Sequence, residues 1–324
     1  MRVAILTLAA SIATFAQDTG RVFHFTNLNS APAFQEVTNI LRTVADLNKT
    51  VPDAESQTIT TSGSAAQIAI ADWLAPRLDG ASGAGPQLYQ APGTADDVVQ
   101  VIDASGAKTP AALQELVNVA RTAADINRVF PFNPAKSIVV RATSERVQLA
   151  SWLVSQLLSP PASVPAEFLL TSDFPRNPQK RIHLYVTQKA TSPAALQEMV
   201  NSLRTIADVT RVFPFNQTHA IVARGNDQVI AICDWLISSL DKAPPGQGEA
   251  SEHIQILSPY PTEGEERVLY LPAASAEKDV MQLVSRIRTD AGVQRVFPSF
   301  TAMAISLRGN ASQVAKAEEI VRSH

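Results

Sequence analysis

The sequence predicts an α+β protein built from four tandem βαββα modules, each a small mixed sheet with two helices on one face. An Arg-Thr pair occurs four times in the 324 residues, at spacings of 79, 83 and 84, beginning at Arg42, Arg121, Arg204 and Arg288. The octapeptide at 111–118 returns with one change at 194–201, and Arg-Val-Phe-Pro begins at 128, 211 and 295. Blocks that return in the same order at similar spacing indicate one unit copied fourfold.

The third module shows the order of elements most clearly. Residues 182–186 are β-branched, aromatic and aliphatic, as in a strand. Residues 196–207 place apolar side chains at the period of a one-sided helix, and Ser192-Pro193 supplies a capping residue followed by proline in the first turn. Two strands and a second helix complete the module, at 211–215, 220–224 and 227–240.

A proline interrupts the first strand of the hairpin in the last three modules, at Pro131, Pro214 and Pro298. Proline has no N–H to donate to a neighbouring strand. We therefore predict that this strand lies at the edge of its sheet.

The module boundaries follow from composition. We predict modules at 21–79, 97–158, 181–241 and 267–324, separated by linkers at 80–96, 159–180 and 242–266, which are rich in Gly, Pro and polar residues. Two stretches inside the linkers are candidate extra strands, Glu167–Leu170 and His253–Leu257.

The first 16 residues have the pattern of a signal peptide. Arg2 precedes an apolar run from Val3 to Phe15 that is too short to span a bilayer, and small residues precede a cleavage site near Ala16. The alternative is a buried N-terminal helix or strand. The signal-peptide interpretation predicts a periplasmic or secreted protein.

Composition and motifs argue against several functions. Lys plus Arg number 27 against 30 Asp plus Glu, a net charge of -3, which disfavours nucleic-acid binding. The lone Cys233 allows no internal disulfide, and the five histidines fall at unrelated places in the repeat. The sequence contains no HExxH, GxSxG or GxxxxGK[ST] motif, so we predict no catalytic, metal or cofactor site and no enzyme.

Arginines recur at two kinds of position. Arg42, Arg121 and Arg204 precede Asp46, Asp125 and Asp208 by four residues, which predicts exposed ion pairs along a helix. Arg141, Arg224 and Arg308 each end a strand. These three are candidate interaction residues for an acidic partner or a neighbouring module; the alternative is that they pair with local Asp residues and cap carbonyl groups.

Tryptophans recur in the second helix of the first three modules, at Trp73, Trp152 and Trp235. Trp235 lies about 140° from the centre of the apolar face of its helix. We predict that these side chains pack on a linker or on the next module; the alternative is that each covers the edge of its own helix. The fourth module has Glu319 at this place, as expected of a terminal repeat.

The strand Ala220–Gly225, running into a helix that ends Trp235-Leu236-Ile237-Ser238-Ser239-Leu240-Asp241, resembles the short N-terminal modules of bacterial secretins, also called NolW-like or secretin/TonB short domains. The resemblance implies periplasmic, non-enzymatic modules that pack into rings or bind secretion-system proteins. It does not extend to a secretin channel domain, since no Gly-rich β region follows the fourth module. The topology is also KH-like, but Gly80-Ala81-Ser82-Gly83 lies in a linker rather than between two helices, as a KH loop would.

These observations predict an exported scaffold or protein-protein interaction protein of the bacterial cell envelope, which binds itself or envelope partners through strand edges and tryptophan-bearing helix flanks. The alternative is an envelope protein that binds a glycan or peptide in clefts between modules. No cofactor is expected, and any association with a membrane is peripheral.

Overall fold

The computed structural model describes residues 19–28, 30–80, 88–93, 97–159, 165–171, 179–241, 254–255, 264–272 and 275–323. The expected signal peptide lies outside them, as do most of the three expected linkers. In the described part of the chain, eight α-helices and fifteen strands form four consecutive units.

The first unit consists of β1 (Thr19–His24), α1 (Ala31–Val44), β2 (Lys49–Asp53), β3 (Thr58–Gly63) and α2 (Ala65–Leu78). The second consists of β4 (Leu88–Gln90), β5 (Val98–Asp103), α3 (Pro110–Ala123), β6 (Arg128–Phe132), β7 (Ser137–Ala142) and α4 (Ser144–Leu158). The third consists of β8 (Ala166–Leu169), β9 (Arg181–Val186), α5 (Pro193–Ile206), β10 (Arg211–Phe215), β11 (Ala220–Gly225) and α6 (Asp227–Leu240). The fourth consists of β12 (Ile254–Gln255), β13 (Glu265–Tyr270), α7 (Glu277–Asp290), β14 (Arg295–Ser299), β15 (Ala304–Gly309) and α8 (Ala311–Arg322).

The first helices of the first three units begin in the same way. The hydroxyl groups of Ser30, Thr109 and Ser192 each accept a hydrogen bond from the backbone N–H three residues later, and a proline lies in the first turn. The cap satisfies one of the N–H groups that a helix start leaves free, and proline loses no intrahelical bond there. The structure thus confirms the predicted start at Ser192-Pro193.

Every strand pair among the described residues is antiparallel, so the expectation of mixed sheets was wrong. In the first unit the order is β1-β3-β2. The hairpin strand β3 lies between β1 and β2 and runs opposite to both, so the two strands that are parallel to each other never pair. The predicted edge position of the proline strands is confirmed, because β6, β10 and β14 each end their sheet.

Three units have a fourth strand at the other edge of the sheet. The strands β4, β8 and β12 pair antiparallel with the first strand of their units. The strand β8 overlaps the candidate stretch Glu167–Leu170 and β12 lies within His253–Leu257, whereas β4 lies in a linker for which the sequence predicted no strand. Within the described residues, β1 has no such neighbour.

The units stack by covering both faces of each later sheet. One face of the third sheet packs under α5 and α6 of its own unit through Ile221 and Ala223. The opposite face contributes Ile182, Leu184 and Val222 to a core that also contains α3 of the second unit. The same arrangement places α1 on the second sheet and α5 on the fourth. The helices α1, α3 and α5 therefore each pack against the sheet of their own unit and against the next sheet.

Candidate functional site

The contact between a first helix and the next sheet, which we call a junction, occurs three times in the described part of the chain. The same polar contacts recur in all three junctions. In each junction two arginines lie directly opposite each other on the hairpin of the later module. We call them the arginine pair. The three pairs are Arg128 with Arg141, Arg211 with Arg224, and Arg295 with Arg308.

Each arginine pair binds one aspartate from the preceding module. Asp46 lies 2.7 Å from the Arg128 guanidinium and 3.3 Å from that of Arg141. Asp125 pairs with Arg211 and lies 3.3 Å from Arg224, and Asp208 does the same with the last pair, at 3.3 Å from Arg308. Like charges directly opposite on two strands repel each other, so the carboxylate removes a penalty that each pair would otherwise carry.

The predicted ion pairs within a helix were wrong. The first helices end before the aspartates, which adopt the left-handed backbone conformation at φ of 57° for Asp46, 54° for Asp125 and 55° for Asp208. Four-residue spacing along a helix therefore does not apply. The preceding arginines instead donate to strand carbonyls of their own modules, Arg42 to Thr50, Arg121 to Val129, Arg204 to Val212 and Arg288 to Val296.

The second arginine of each pair also binds the carboxyl end of the preceding first helix. Arg141 donates to the Val44 carbonyl at 3.0 Å, Arg224 to Ala123 at 2.9 Å and Arg308 to Ile206 at 3.3 Å. The last carbonyls of a helix have no intrahelical donors and carry partial negative charge, which favours a cation there. The side chains are 11%, 0% and 10% exposed, so these three candidate residues lie inside the junctions.

The third partner of that arginine differs at each junction. The Asp97 carboxylate lies 2.7 Å from Arg141, and Arg224 donates to the Gln179 carbonyl at 2.8 Å. Arg308 instead faces Glu266, at 3.1 Å from Nε. Glu266 is fully buried, and this burial raises its pKa to about 7.

A second carboxylate reaches across each junction from the middle of the helix. Glu36 accepts from the backbone N–H and side-chain amide of Asn133, at 2.9 and 2.8 Å. Glu115 accepts from the same groups of Asn216, at 2.9 and 2.6 Å. Glu198 accepts from the Ser299 hydroxyl at 2.9 Å. Sequence reasoning assigned these glutamates no role, although two of them recur in the repeated octapeptide.

Two tryptophans lie against the leading strand of the next module. Trp73 stacks on Tyr89 of β4, with ring centroids 5.4 Å apart and an interplanar angle of 26°, while the Arg77 guanidinium lies 4.2 Å from the Trp73 ring. Trp152 contacts Phe168 of β8 at 5.5 Å. Trp235 packs at the edge of the core that the third and fourth modules share.

Several of the other polar side chains link the first strand of a module to its second helix. A polar contact between the first strand and second helix recurs in all four modules: Arg21 with Asp72, Gln100 with Ser151, His183 with Asp234 and Arg267 with Glu318, each at 2.8 to 2.9 Å. Burial raises the pKa of Cys233, which keeps its thiol protonated. In the described ranges, no cluster of three or more His, Cys, Asp or Glu side chains has the arrangement of a metal site.

Among the helices that the structure describes, none combines the length and apolar character needed to cross a bilayer.

Comparison with known proteins gives matches only among solved structures. No family model matches the chain, and no curated protein matches it. The chain is similar to Aeromonas hydrophila ExeD at 16% identity, over 70% of this chain and 42% of ExeD, with a TM-score of 0.17. It is similar to the type II secretion system secretin GspD of E. coli K12 at 14% identity, over 70% and 40%, with a TM-score of 0.17. For the N-terminal domain of the Pseudomonas aeruginosa secretin XcpQ the identity is 12%, over 64% and 77%, with a TM-score of 0.24. The chain thus spans less than half the length of ExeD and GspD.

Proposed function

We propose that this chain is an exported, non-enzymatic scaffold of the bacterial cell envelope, made of four secretin-type modules that bind protein partners. The observation that carries the proposal is the repeated junction, in which each of the three arginine pairs binds a carboxylate from the module before it. Ionisable side chains in these junctions hold modules together, and their partners are protein groups. Because the junctions fix each module against the next, the binding surfaces of the modules are held at fixed distances, as an interaction scaffold requires.

The partner surface we favour is the outer edge of the leading strands. Within the described residues, β4 and β8 end their sheets, and each carries a leucine whose side chain points to solvent. Leu88 is 45% exposed and Leu169 is 46% exposed. An uncovered strand edge offers backbone donors and acceptors to an added strand, and apolar side chains beside it add buried area. The partner is a second copy of the chain or a secretion-system protein.

The junction arginines and Trp73 contribute to this surface indirectly. Arg141, Arg224 and Arg308 are buried in the junctions, so a partner does not reach their guanidinium groups. Trp73 packs on Tyr89 of β4, and Trp152 packs on Phe168 of β8. We propose that these aromatic contacts hold the leading strands in place for binding.

Sedimentation of the full chain over a range of concentrations tests the proposal. We expect concentration-dependent oligomers in the parent, which the double variant Leu88→Lys and Leu169→Lys abolishes. Met281→Lys is the control, because Met281 is similarly exposed at 48% but lies on α7. A parent chain that stays monomeric and binds no secretion-system protein in a purified mixture would contradict the proposal.

A groove beside the second module supports the alternative, an envelope ligand-binding protein. A depression of about 520 Å³ is lined by residues that include Asp97, Asp125, Arg128 and Arg146. Charged groups of both signs at one groove suit a polar glycan or peptide. Native mass spectrometry separates the two functions: a strict monomer that retains a small ligand supports this alternative, and a ligand-free oligomer supports the scaffold.

A further inference from the structure

The helix side of the junction is altered in the fourth module. At the position of the bridging aspartates Asp46, Asp125 and Asp208, α7 is followed by Gly292, which keeps the left-handed conformation at φ 73° but has no carboxylate. The glutamates that reach across the junction, Glu36, Glu115 and Glu198, are replaced by Gln282. Both acidic groups that bind a following sheet are therefore missing from α7.

At one position of the first helix, α7 has a charged residue where the other three first helices have a residue buried in the junction. Ile40, Val119 and Ser202 are 0 to 1% exposed, and the equivalent residue of the fourth module is Arg286. Its side chain is 48% exposed and lies 3.9 Å from Asp290 on its own helix. A sheet placed on α7 would bury this guanidinium, and removing a charged group from water is costly.

The sheet side of the junction is altered in the first module. Lys49 and Ser62 occupy the register positions of the arginine pair, directly opposite each other on β2 and β3. Val51 replaces the phenylalanine of the Arg-Val-Phe-Pro segment and is 66% exposed. With one cation instead of two, this sheet has no like-charge repulsion for a carboxylate to relieve.

We propose that the first sheet and α7 are terminal caps of the module stack, so that copies of this chain do not join end to end through the junction that joins their modules. Self-assembly, where it occurs, uses other surfaces. The inference is independent of export and of the partner proposed above, because it depends only on which junction residues the two outer modules keep. The inference depends on the altered residues at six positions, three on each outer surface.

Two variants restore one side of the junction each. The helix-side variant is Gly292→Asp with Gln282→Glu and Arg286→Ser, and the sheet-side variant is Lys49→Arg with Ser62→Arg and Val51→Phe. Aspartate already adopts the left-handed conformation at three equivalent positions, so Gly292→Asp introduces no strain that the chain does not carry elsewhere. Each variant restores only one side of the junction. Copies of the same variant therefore lack the complementary side and should not bind each other through it.

Sedimentation velocity and small-angle X-ray scattering measure the outcome. We expect an equimolar mixture of the two variants to form a 1:1 complex with twice the mass, greater length and an unchanged cross-section. Each variant alone should match the parent. Circular dichroism checks folding, and if the triple helix-side variant is unfolded, Gly292→Asp alone replaces it.

Two results would overturn the inference. The first is a parent chain that already forms particles of doubled length and unchanged cross-section. The second is a mixture of folded variants that sediments as the sum of its separate components. Oligomers of the parent that grow in cross-section leave the caps intact and bear on the partner surface instead, so the two proposals fail separately.

Discussion

Arg211 and Arg224 lie directly opposite each other on the β10–β11 hairpin, and the carboxylate of Asp125 from the preceding module binds both. Arg224 is fully buried and also donates to the carbonyl that ends α3. Two cations at paired strand positions destabilise an isolated module. The arginine pair of the third module therefore has the Asp125 carboxylate as a partner only when the second module packs on the third.

Removal of that aspartate should destabilise the stack strongly. We expect Asp125→Ala to lower the free energy of unfolding by about 3 kcal/mol, because it removes a carboxylate that binds the buried Arg224 guanidinium. Asp46→Ala should cost about 1 kcal/mol, since Asp46 and Arg128 are 36% and 45% exposed and water screens them. Urea unfolding measures both.

Asp290→Ala is the matched control for these two variants. Asp290 makes an exposed pair with Arg286 on one helix, which is worth at most about 0.5 kcal/mol. Equal losses in all three variants would show that the junction aspartates have no special role.

The Glu115 contact should contribute through hydrogen bonds to the Asn216 backbone and side chain. We expect Glu115→Ala to cost about 2 kcal/mol, because two donors, one of them a backbone N–H, lose a charged acceptor. Gln282→Ala, at the equivalent exposed position of α7, should change the free energy of unfolding by less than about 0.5 kcal/mol. A small effect of Glu115→Ala would mean that solvent replaces the carboxylate without loss.

The stacking of Trp73 on Tyr89 should appear as a coupling energy. In a double-mutant cycle we expect Trp73→Ala and Tyr89→Ala together to cost about 1 kcal/mol less than the sum of the two single losses. A cycle of Trp152→Ala with Tyr89→Ala serves as control, because Trp152 contacts Phe168 of another strand. Equal coupling in both cycles would exclude a specific contact.

The third junction should respond to pH through Glu266. Its pKa is raised from 4.5 to about 7 by burial, with Arg308 and Arg295 acting in the opposite direction and Glu265 in the same one. The folded state therefore holds a proton that the unfolded chain releases, so this group's contribution to stability is complete below pH 4.5 and is lost as pH rises through about 7.

The variant Glu266→Gln isolates this effect. We expect its stability relative to the parent to increase as pH rises from about 4.5 to about 7 and then to level off. Glu265→Gln is the adjacent control. A difference between parent and Glu266→Gln that does not change with pH would contradict the assignment.

Much of the fold could be predicted from repetition alone. The amphipathic helices, the hairpins and the edge position of Pro131 follow from local patterns that recur at similar spacing. The ion-pair partners of Asp46 could not be predicted. Pairing Asp46 with Arg42, four residues earlier, assumes a continuous helix, but α1 ends at Val44. The strand Leu88–Gln90 escaped prediction because three residues in a Gly-rich segment show no periodicity. The arginines ending the second hairpin strands were identified, but which carboxylates they meet depends on how modules stack.

The most direct measurement is a double-mutant cycle across one junction, with Asp125→Ala and Arg224→Met studied singly and together by urea unfolding. If the modules are held by the carboxylate that bridges the arginine pair, the double variant should be more stable than the sum of the single losses predicts, by about 2 kcal/mol. Purely additive losses would show that the two residues act independently, and the stacked arrangement of modules argued from this contact would then be wrong.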